Sequence, residues 1–225
     1  MYLNKKVIAI ILSAGSGSRF QGSIPKQYYK INNKFIAQFC IDTFSELKII
    51  DEFILVHSKK DKFYQNLYFS KPVRFVTGGK ERSDSVLEAL KIIDSNEIVL
   101  IHDSARACVS KNEITNLITS INEDGSILAL PSSDTLKEVD NKYISKTLNR
   151  DKIYRALTPQ CFYSDSIKEA IIYCSKLNIT ITDDSSAMEN YGKKPHIVLG
   201  SSLNIKLTYS SDFDILKYIL QLRNK

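Results

Sequence analysis

Residues 7–27 read V-I-A-I-I-L-S-A-G-S-G-S-R-F-Q-G-S-I-P-K-Q. The unbroken apolar run over residues 7–12 is typical of a strand that is buried on both faces of a sheet. The small residues that follow leave the backbone accessible, and glycine permits the positive φ angles with which N–H groups can converge on an anion. Arg19 and Lys26 add positive charge nearby. This stretch therefore predicts a buried strand that opens into a phosphate-binding loop.

Two common phosphate-binding motifs do not match this loop. A Walker A loop has Lys directly after its second Gly, and neither Gly17 nor Gly22 is followed by Lys. The dinucleotide-binding fingerprint has a third Gly or Ala where Phe20 stands in this chain. Two interpretations remain open: the loop binds phosphate by another arrangement, or it is a tight turn between strand and helix with incidental charges.

Length and charge restrict the class of protein. The chain of 225 residues contains no Pro-rich or Ser/Gly-rich linker and no internal repeat, which indicates a single domain. Its net charge of +6 suits acidic ligands, and the dispersal of the basic residues favours small anions over nucleic acid. Apolar runs stay far below the ~18 residues of a membrane span, and residues 1–6 do not lead into a cleavable signal peptide. We therefore expect a cytoplasmic protein that binds neither nucleic acid nor membrane.

The cysteines and histidines form none of the usual metal-binding or nucleophilic patterns. The four cysteines are far apart in the sequence, so we predict separate reduced thiols. The three histidines occur without an H-E-x-x-H motif or a nucleophile-elbow Ser, which sets aside zinc-dependent hydrolysis and Ser-His-Asp chemistry. The cysteines are Cys40, Cys108, Cys161 and Cys174.

Apolar segments of strand length alternate with segments of helical periodicity along most of the chain. This alternation predicts parallel strands joined by right-handed crossovers, hence a three-layer α/β domain with a mostly parallel sheet. In such sheets ligands bind at the carboxyl ends of the strands, where Gly15, Gly79 and Asp103 fall. The predicted strands are residues 7–12, 53–56, 73–76, 97–101, 127–130 and 204–208, and the predicted helices are residues 35–47, 83–93, 112–121 and 212–222.

Two polar segments lie at the predicted carboxyl edge. In residues 78–86, Ser83 or Asp84 can cap the following helix and leave the N–H groups of its first turn directed at a ligand. A capped helix start without a ligand is the alternative. Asp103 ends a buried strand, where a carboxylate is costly to stability but can hold a ribose hydroxyl or hydrated Mg²⁺. We expect the nearby Arg106 to hold its loop by hydrogen bonds.

Residues 135–148 differ in character from the rest of the chain. They alternate apolar and polar residues on either side of Asp140-Asn141, a pattern that predicts a β-hairpin. Because a two-stranded hairpin is barely stable alone, we expect it to pack against another surface. Further along, Asp183 or Asp184 is predicted as the N-cap of a helix.

Several of these segments together resemble a known family. The sequence L-S-A-G-S-G-S-R at residues 12–19, followed by P-K-Q at residues 25–27, resembles the signature of nucleotidyltransferases that activate sugar and alditol phosphates. Among them, the chain is most similar to the cytidylyltransferases, in particular those that act on methylerythritol phosphate. The family usually has Pro where Ala107 stands here. The further matching segments are residues 78–86, 102–106, 149–151, 156–160, 182–189 and 204–206.

This resemblance implies the three-layer, Rossmann-like fold of nucleotidyltransferases. It also implies a protruding hairpin arm, at about residues 132–157, that embraces the second subunit of a homodimer. The implied reaction transfers CMP from CTP to 2-C-methyl-D-erythritol 4-phosphate with Mg²⁺ as cofactor, and it releases pyrophosphate. The alternatives are a cytidylyltransferase for ribitol 5-phosphate or another alditol phosphate, and a nucleotide-binding regulator without catalysis.

The resemblance also implies roles for individual residues. The implied catalytic residues are Arg19, Lys26, Arg150 and Lys206. The first two would stabilise the transition state at the triphosphate, and the last two, together with Thr135, would bind the polyol phosphate. The implied CTP-binding residues are Ala14, Gly15, Gly17, Lys26, Gly79, Arg82, Ser85 and Asp103. Asp103 is also the implied contact for Mg²⁺, which the CTP phosphates would mainly hold.

Overall fold

A seven-stranded sheet lies between two layers of helices in the computed structural model, which describes residues 1–94 and 96–223. The strands within these residues are β1 (Val7–Ser13), β2 (Lys30–Ile31), β3 (Lys34–Phe35), β4 (Glu52–His57), β5 (Val73–Thr77), β6 (Ile98–Asp103), β7 (Ser126–Pro131), β8 (Lys137–Asp140), β9 (Tyr143–Thr147), β10 (Tyr154–Tyr163) and β11 (His196–Leu199). The α-helices are α1 (Ile36–Ser45), α2 (Arg82–Lys91), α3 (Lys111–Thr119), α4 (Ser164–Lys176), α5 (Asp184–Asn190) and α6 (Asp212–Arg223).

The strands of the main sheet run in the order β11-β7-β10-β6-β1-β4-β5. β1 pairs in parallel with both β4 and β6, and β5 and β11 also pair in parallel with their neighbours. β10 alone among these described strands is antiparallel, to β6 on one side and to β7 on the other. The predicted three-layer α/β fold with a mostly parallel sheet is therefore confirmed.

β10 is a strand that the sequence patterns do not predict. Its first three residues are exposed, and polar Thr158 and Gln160 interrupt the apolar character of its buried part. It also contains Pro159, and proline inside a sheet is usually confined to edges and bulges. Here the pairing with β7 shifts register between Ala156 and Gln160, which leaves room for the proline. The strand therefore forms because of its neighbours on both sides and not because of a local pattern.

β1 carries core residues on both faces, which explains its unbroken apolar sequence. Val7, Ala9 and Ile11 pack with residues of α1 and α3, whereas Ile8 and Ile10 pack with residues of α2 and α4. All five side chains are at most 1 % exposed. Burial on both faces is what an apolar run without alternation indicates. The loop that follows β1 is thus carried by a rigid central strand.

The predicted N-cap of α2 is wrong. The helix begins at Arg82 and its N-cap is Glu81, where Ser83 or Asp84 was expected. The Asp84 carboxylate accepts a hydrogen bond from the N–H of Glu81 (2.9 Å) and so completes a capping box with it. Asp84 therefore acts from inside the first turn. At α5 the prediction is confirmed, because Asp183 is the N-cap.

The predicted strand over residues 204–208 does not form in the described chain. This segment crosses the loop after β6 and bonds to it at separate points, without joining a ladder. Arg106 Nη1 donates to Asn204 O (2.7 Å), and Leu207 N donates to Ala105 O (3.0 Å). Apolar Ile205 and Leu207 alternate with polar residues as in a strand, but the buried residues are Asn204 and Leu207, three positions apart, which is not the spacing of a strand.

The hairpin prediction is confirmed. β8 and β9 pair antiparallel in a separate two-stranded sheet, and Asp140 faces Tyr143, so the turn is Asn141-Lys142 and lies one step beyond the predicted Asp140-Asn141. Both turn residues have positive φ angles, 45° and 72°. Every residue of the two strands is exposed, apolar Val139 and Ile144 included. Within the described residues, the hairpin therefore lacks the packing that two-stranded sheets need for stability.

The four cysteines are free, as predicted, and all four are buried. Burial raises the pKa of the Cys40 thiol to about 12, which disfavours the reactive thiolate.

Across residues 1–94 and 96–223, none of the helices has both the length and the apolar character needed to cross a membrane.

Candidate active site

The loops that follow β1, β5 and β6 border a cavity of about 300 Å³. Ligands of open α/β sheets bind at this carboxyl edge. Residues from separate segments of the chain meet here, including every residue implied for CTP binding. The predicted site residues that line the cavity are Ala14, Gly15, Gly17, Arg19, Lys26, Gly79, Arg82, Ser85, Asp103 and Lys206.

The loop after β1 is held in shape by a buried side chain. Gln27, 3 % exposed, donates from its amide to Ser13 O at 2.7 Å and to Gly15 O at 3.4 Å. Gly17 has a φ of 68°, a conformation that favours glycine, and its α-carbon lies against Lys26. The loop therefore keeps its form through bonds within the protein and needs no ligand to shape it.

The loop after β5 approaches the first loop so closely that only glycine fits. A Cβ on Gly78 would lie 2.8 Å from Ala14 Cβ, and one on Gly79 would lie 2.3 Å from Asp84 Cβ. The N–H of Gly79 donates to Ser85 Oγ (3.2 Å), which ties the loop to the first turn of α2. The backbone at Gly79 is bare at the cavity wall, where a planar base can approach it closely.

Four charged side chains form a chain of ion pairs along the cavity. Asp103 Oδ1 accepts from Arg82 Nε at 3.2 Å, and Asp103 Oδ2 accepts from Lys206 Nζ at 2.6 Å. Arg82 donates through both terminal nitrogens to the Asp184 carboxylate, at 2.8 Å each. Asp184 itself is 1 % exposed. Two cations and two anions thus meet from four distant parts of the sequence.

These contacts shift the pKa values of the paired groups. Burial opposes ionisation of Asp103, but Arg82 and Lys206 outweigh it and hold the pKa of that carboxyl well below its usual range. Burial also disfavours the charge of Arg82, yet Asp184 and Asp103 raise its pKa. Burial raises the pKa of Asp184, and the two-pronged contact with Arg82 opposes that rise. Arg82 and Asp103 are therefore charged at neutral pH.

Lys26 has a pKa close to neutral pH. Burial, together with the cations Lys206 and Arg19, lowers the pKa of its ammonium group from 10.5 to about 8, and Asp103 and Asp212 oppose the change. An incoming anion relieves the repulsion among these cations and favours the charged form of each. The cavity wall beside the first loop is therefore suited to a phosphate group.

A buried hydrogen-bond network fixes Asp103 from behind. The Thr158 hydroxyl accepts from the N–H of Asp103 (3.2 Å) and donates to His102 Nδ1 (3.1 Å). Burial lowers the pKa of His102 to about 4, so the ring is neutral and its Nε2 donates to Arg106 O (3.1 Å). Arg106 in turn holds the loop by donating to Asn204 O, which is the role expected for it.

Asp103 supplies a ligand of the kind that Mg²⁺ prefers. Among residues 1–94 and 96–223, no group of three or more His, Cys, Asp or Glu side chains is placed to hold a metal ion. Asp103 and Glu81 contribute carboxylates to the cavity wall. In phosphate-transfer sites Mg²⁺ is commonly held by one or two carboxylates together with substrate phosphates. The donor set fits Mg²⁺ on those terms.

Comparison with known proteins agrees with this geometry. The sequence model of the 2-C-methyl-D-erythritol 4-phosphate cytidylyltransferase family matches residues 7–222. The chain belongs to this family. A relative of that name from Alteromonas mediterranea is 40 % identical over 222 residues, which cover 96 % of this chain and 93 % of the relative.

Solved structures of the cytidylyltransferase family share the fold. The Francisella tularensis 2-C-methyl-D-erythritol 4-phosphate cytidylyltransferase superposes with a TM-score of 0.81 at 33 % identity, covering 95 % of this chain and 99 % of the other. The 4-diphosphocytidyl-2C-methyl-D-erythritol synthase from Anaerococcus prevotii gives a TM-score of 0.85 at 31 % identity, covering 96 % of each chain. The three-layer arrangement is therefore that of the family.

Two predicted site residues, Thr135 and Arg150, lie outside the cavity. Both belong to the described chain and both are exposed, but neither lines the cavity. Arg150 Nη1 donates to Ser133 O (3.2 Å) within the same region of the chain. Within the described chain, the cavity therefore holds only part of the residue set that the family resemblance implies.

Sequence patterns miss three residues that shape the site. Asp184 is predicted only as a helix cap, whereas its carboxylate pairs with Arg82, 102 positions away, a separation that no local pattern can reveal. Thr158 lies on the unpredicted strand β10. Gln27 offers the one usable signal, because it directly follows Lys26 in the P-K-Q segment.

Proposed function

We propose that this protein is a CTP-dependent cytidylyltransferase that transfers CMP to 2-C-methyl-D-erythritol 4-phosphate and releases pyrophosphate. The clustering of Arg19, Lys26 and Lys206 beside a glycine-rich loop in one cavity is the observation that carries this proposal. Membership of the family supports the choice of both substrates. The product is 4-diphosphocytidyl-2-C-methyl-D-erythritol, an intermediate of isoprenoid synthesis.

The reaction needs no covalent bond between protein and substrate. A phosphate oxygen of the polyol phosphate attacks the α-phosphorus of CTP, and the bond from that phosphorus to the bridging oxygen of pyrophosphate breaks. One P–O bond forms as another breaks, and the electron pair leaves with pyrophosphate. Negative charge accumulates around the α-phosphorus, where Arg19 and Lys26 supply fixed positive charge. Catalysis therefore depends on positioning and electrostatics.

The two glycine loops hold CTP in this proposal. The N–H groups of the loop after β1 bind the phosphates, as is usual for such backbone concavities. The backbone at Gly79 and the side chain of Ser85 bind the base, and Asp103 binds a ribose hydroxyl. Mg²⁺, when bound, supplies further charge that neutralises the triphosphate, and Asp103 is the residue that would hold it on the protein side.

Lys206 holds the attacking phosphate, and the arm of a second subunit completes its site. Thr135 and Arg150 lie outside the cavity of their own subunit. The arm also presents exposed apolar side chains, Val139, Tyr143 and Ile144. A homodimer with exchanged arms accounts for both facts, because the hairpin gains packing and the cavity gains an arginine.

Turnover by the purified protein with CTP and Mg²⁺ tests the function directly. Pyrophosphate release is measured with 2-C-methyl-D-erythritol 4-phosphate, with ribitol 5-phosphate and without an acceptor. We expect release with the first acceptor to be at least about a hundredfold faster than with the second. Equal rates with both would reassign the substrate, and CTP binding without any pyrophosphate would indicate a nucleotide-binding regulator.

A mixed dimer tests the exchanged arm. Lys26→Ala removes a cation from the cavity, and Arg150→Ala removes one beside the arm. If the arms are exchanged, a dimer with one chain of each kind has one site with both lesions and one site with neither. Random mixing makes about half of the dimers mixed, so co-expression should restore about a quarter of wild-type activity.

The controls for this experiment are the two variants expressed singly, which should both be inactive. Mixed dimers are verified by capturing one tagged variant and detecting the other. If Arg150 serves its own subunit, every site in a mixed dimer carries one lesion. Verified mixed dimers that stay as inactive as their components would then contradict the shared site.

A further inference from the structure

Asp184, Arg82, Asp103 and Lys206 lie end to end with alternating charge. Their successive contacts measure 2.8, 3.2 and 2.6 Å. Asp184 is 1 % exposed, whereas the side chain of Lys206 is 35 % exposed. The chain of ion pairs therefore runs from the interior of the protein to the cavity. A change at its buried end, Asp184, can alter the contacts of Lys206 at the cavity.

The guanidinium group of Arg82 donates two N–H groups to Asp184 and one to Asp103. Both terminal nitrogens contact Asp184, in the two-pronged geometry that guanidinium groups favour with carboxylates, and Nε contacts Asp103. Asp103 thus receives a single N–H from Arg82, on Oδ1. Its second oxygen, Oδ2, is taken by Lys206. The position of Asp184 decides this division.

Asp103 is the group that directs the ammonium of Lys206. Residues 200–211, all within the described chain, form neither helix nor strand. Bonds at Asn204 O and Leu207 N fix the backbone of this segment. A lysine stem has four flexible carbons, so a fixed backbone does not by itself place the charge. The contact with Asp103 Oδ2 places the ammonium group of Lys206.

We infer that Asp184 is a positioning residue for Lys206, acting through Arg82 and Asp103. Without the charge of Asp184, the terminal nitrogens of Arg82 are free to turn to Asp103, the other carboxylate that Arg82 contacts. Arg82 then occupies both oxygens of Asp103, and Lys206 loses its partner. The part that Lys206 plays in turnover rests on the proposed function, but its direction by Asp184 does not.

Chemical labelling of Lys206 tests this inference without turnover. Asp184→Asn keeps the size of the side chain and removes its charge. Ligand-free protein is treated with limiting acetic anhydride, and acetylation of Lys206 is measured by peptide mass spectrometry relative to exposed Lys217. Lys206 should react about threefold faster in the variant, because that factor corresponds to release from an ion pair of modest strength.

A matched control removes a carboxylate from an ion pair elsewhere. Asp124→Asn deprives Lys193 of its partner at 3.1 Å, and neither residue lines the cavity within the described chain. Labelling of Lys206 should stay at the wild-type rate in this variant. Faster labelling there as well would mean that any loss of surface charge has this effect, and it would overturn the inference.

Kinetics supply a second readout that a merely structural role would not give. The kcat/KM for the polyol phosphate should fall at least about tenfold in Asp184→Asn, since misplacing a reacting group is costly. In a Lys206→Ala background the same substitution should cost less than about twofold, because an absent lysine cannot be misdirected. Equal losses in both backgrounds would overturn the inference, as would unchanged labelling of Lys206 in the folded variant.

Two further outcomes are also decisive. Wild-type protein that releases no pyrophosphate would refute the proposed function, and labelling would still decide the role of Asp184. If Asp184→Asn does not fold, Asp184→Glu takes its place. Glutamate keeps the charge and pushes the guanidinium of Arg82 toward Asp103, so labelling of Lys206 should rise about twofold. A wild-type rate in Asp184→Glu would then refute the inference.

Discussion

Raising the pH tests the contribution of Lys26, because burial lowers the pKa of its ammonium group to about 8. A group with this pKa is about nine-tenths protonated at pH 7 and about one-tenth protonated at pH 9. With the usual value of 10.5 it would stay almost fully protonated over that range. The cation is therefore present below about pH 8 and lost above it.

We expect kcat/KM for CTP to fall about tenfold for each pH unit above about 8. The Cys108 thiol and the His102 ring do not titrate in this window, because burial raises the pKa of the first to about 11 and lowers the pKa of the second to about 4. Phosphate monoesters lose their second proton near pH 6. In the complex the triphosphate favours charged Lys26, so kcat should fall about one to three pH units higher.

The assay is pyrophosphate release at subsaturating CTP, saturating polyol phosphate and excess Mg²⁺. Lys26→Arg is the matched control, since a guanidinium stays charged at every pH used. Its profile should be flat even if its rate is low. A wild-type profile that is flat to about pH 9.5 would refute the reasoning. A parallel fall in the arginine variant would refute it too, because another group would then be titrating.

Four substitutions give further predictions. Lys26→Ala should lower kcat at least about a hundredfold with the fold intact, because the cation meets charge that grows in the transition state; a loss confined to KM would contradict this. Lys206→Ala should raise KM for the polyol phosphate and leave the Kd for CTP nearly unchanged, as measured by calorimetry. Gly79→Ala should weaken CTP binding in the same measurement by about 1–3 kcal/mol, because the new Cβ would lie 2.3 Å from Asp84 Cβ. Ile54→Ala, fully buried in β4, should cost about 2–5 kcal/mol in urea unfolding and leave KM for CTP unchanged.

The fold is predictable from the sequence wherever burial leaves a local pattern. β1 and β6 begin with unbroken apolar runs because both of their faces are covered, and α1 buries one face and shows the matching helical period. β10 breaks this rule, because Thr158 and Gln160 are buried polar residues whose partners lie far away in the sequence. A local sequence pattern cannot predict contacts with such distant partners.

The site is predictable by segment but not by contact. Glycines and small residues mark the two loops, since close approach of backbones requires them. The pairing of Arg82 with Asp184 depends on how α2 and α5 are packed, and the spacing of these two residues in the sequence does not predict it. Arg82 is therefore expected from sequence as a nucleotide contact, whereas the structure shows it at the cavity wall and bonded to two carboxylates.

β10 is the element through which the parts of the site meet. Thr158 accepts from the N–H of Asp103 with its hydroxyl and from the Asn204 amide with its carbonyl (3.0 Å). Two positions later, Gln160 accepts from the N–H of Ser185 (2.9 Å) at the start of α5. One strand thus fixes the end of β6, the segment that carries Lys206 and the helix that carries Asp184.

The same strand begins soon after the hairpin of β8 and β9 ends. β9 leads into β10 through residues 148–153, and Ser132 at the base of the arm donates its N–H to Ile153 O (2.9 Å). If the arm packs on a second subunit, as we propose, that contact restrains the first residues of β10. Dimerisation then does more than bring Arg150 to the neighbouring cavity, because it also steadies the strand on which Asp103 and the Lys206 segment depend. In the proposed dimer, this connection couples chain association to order within each site.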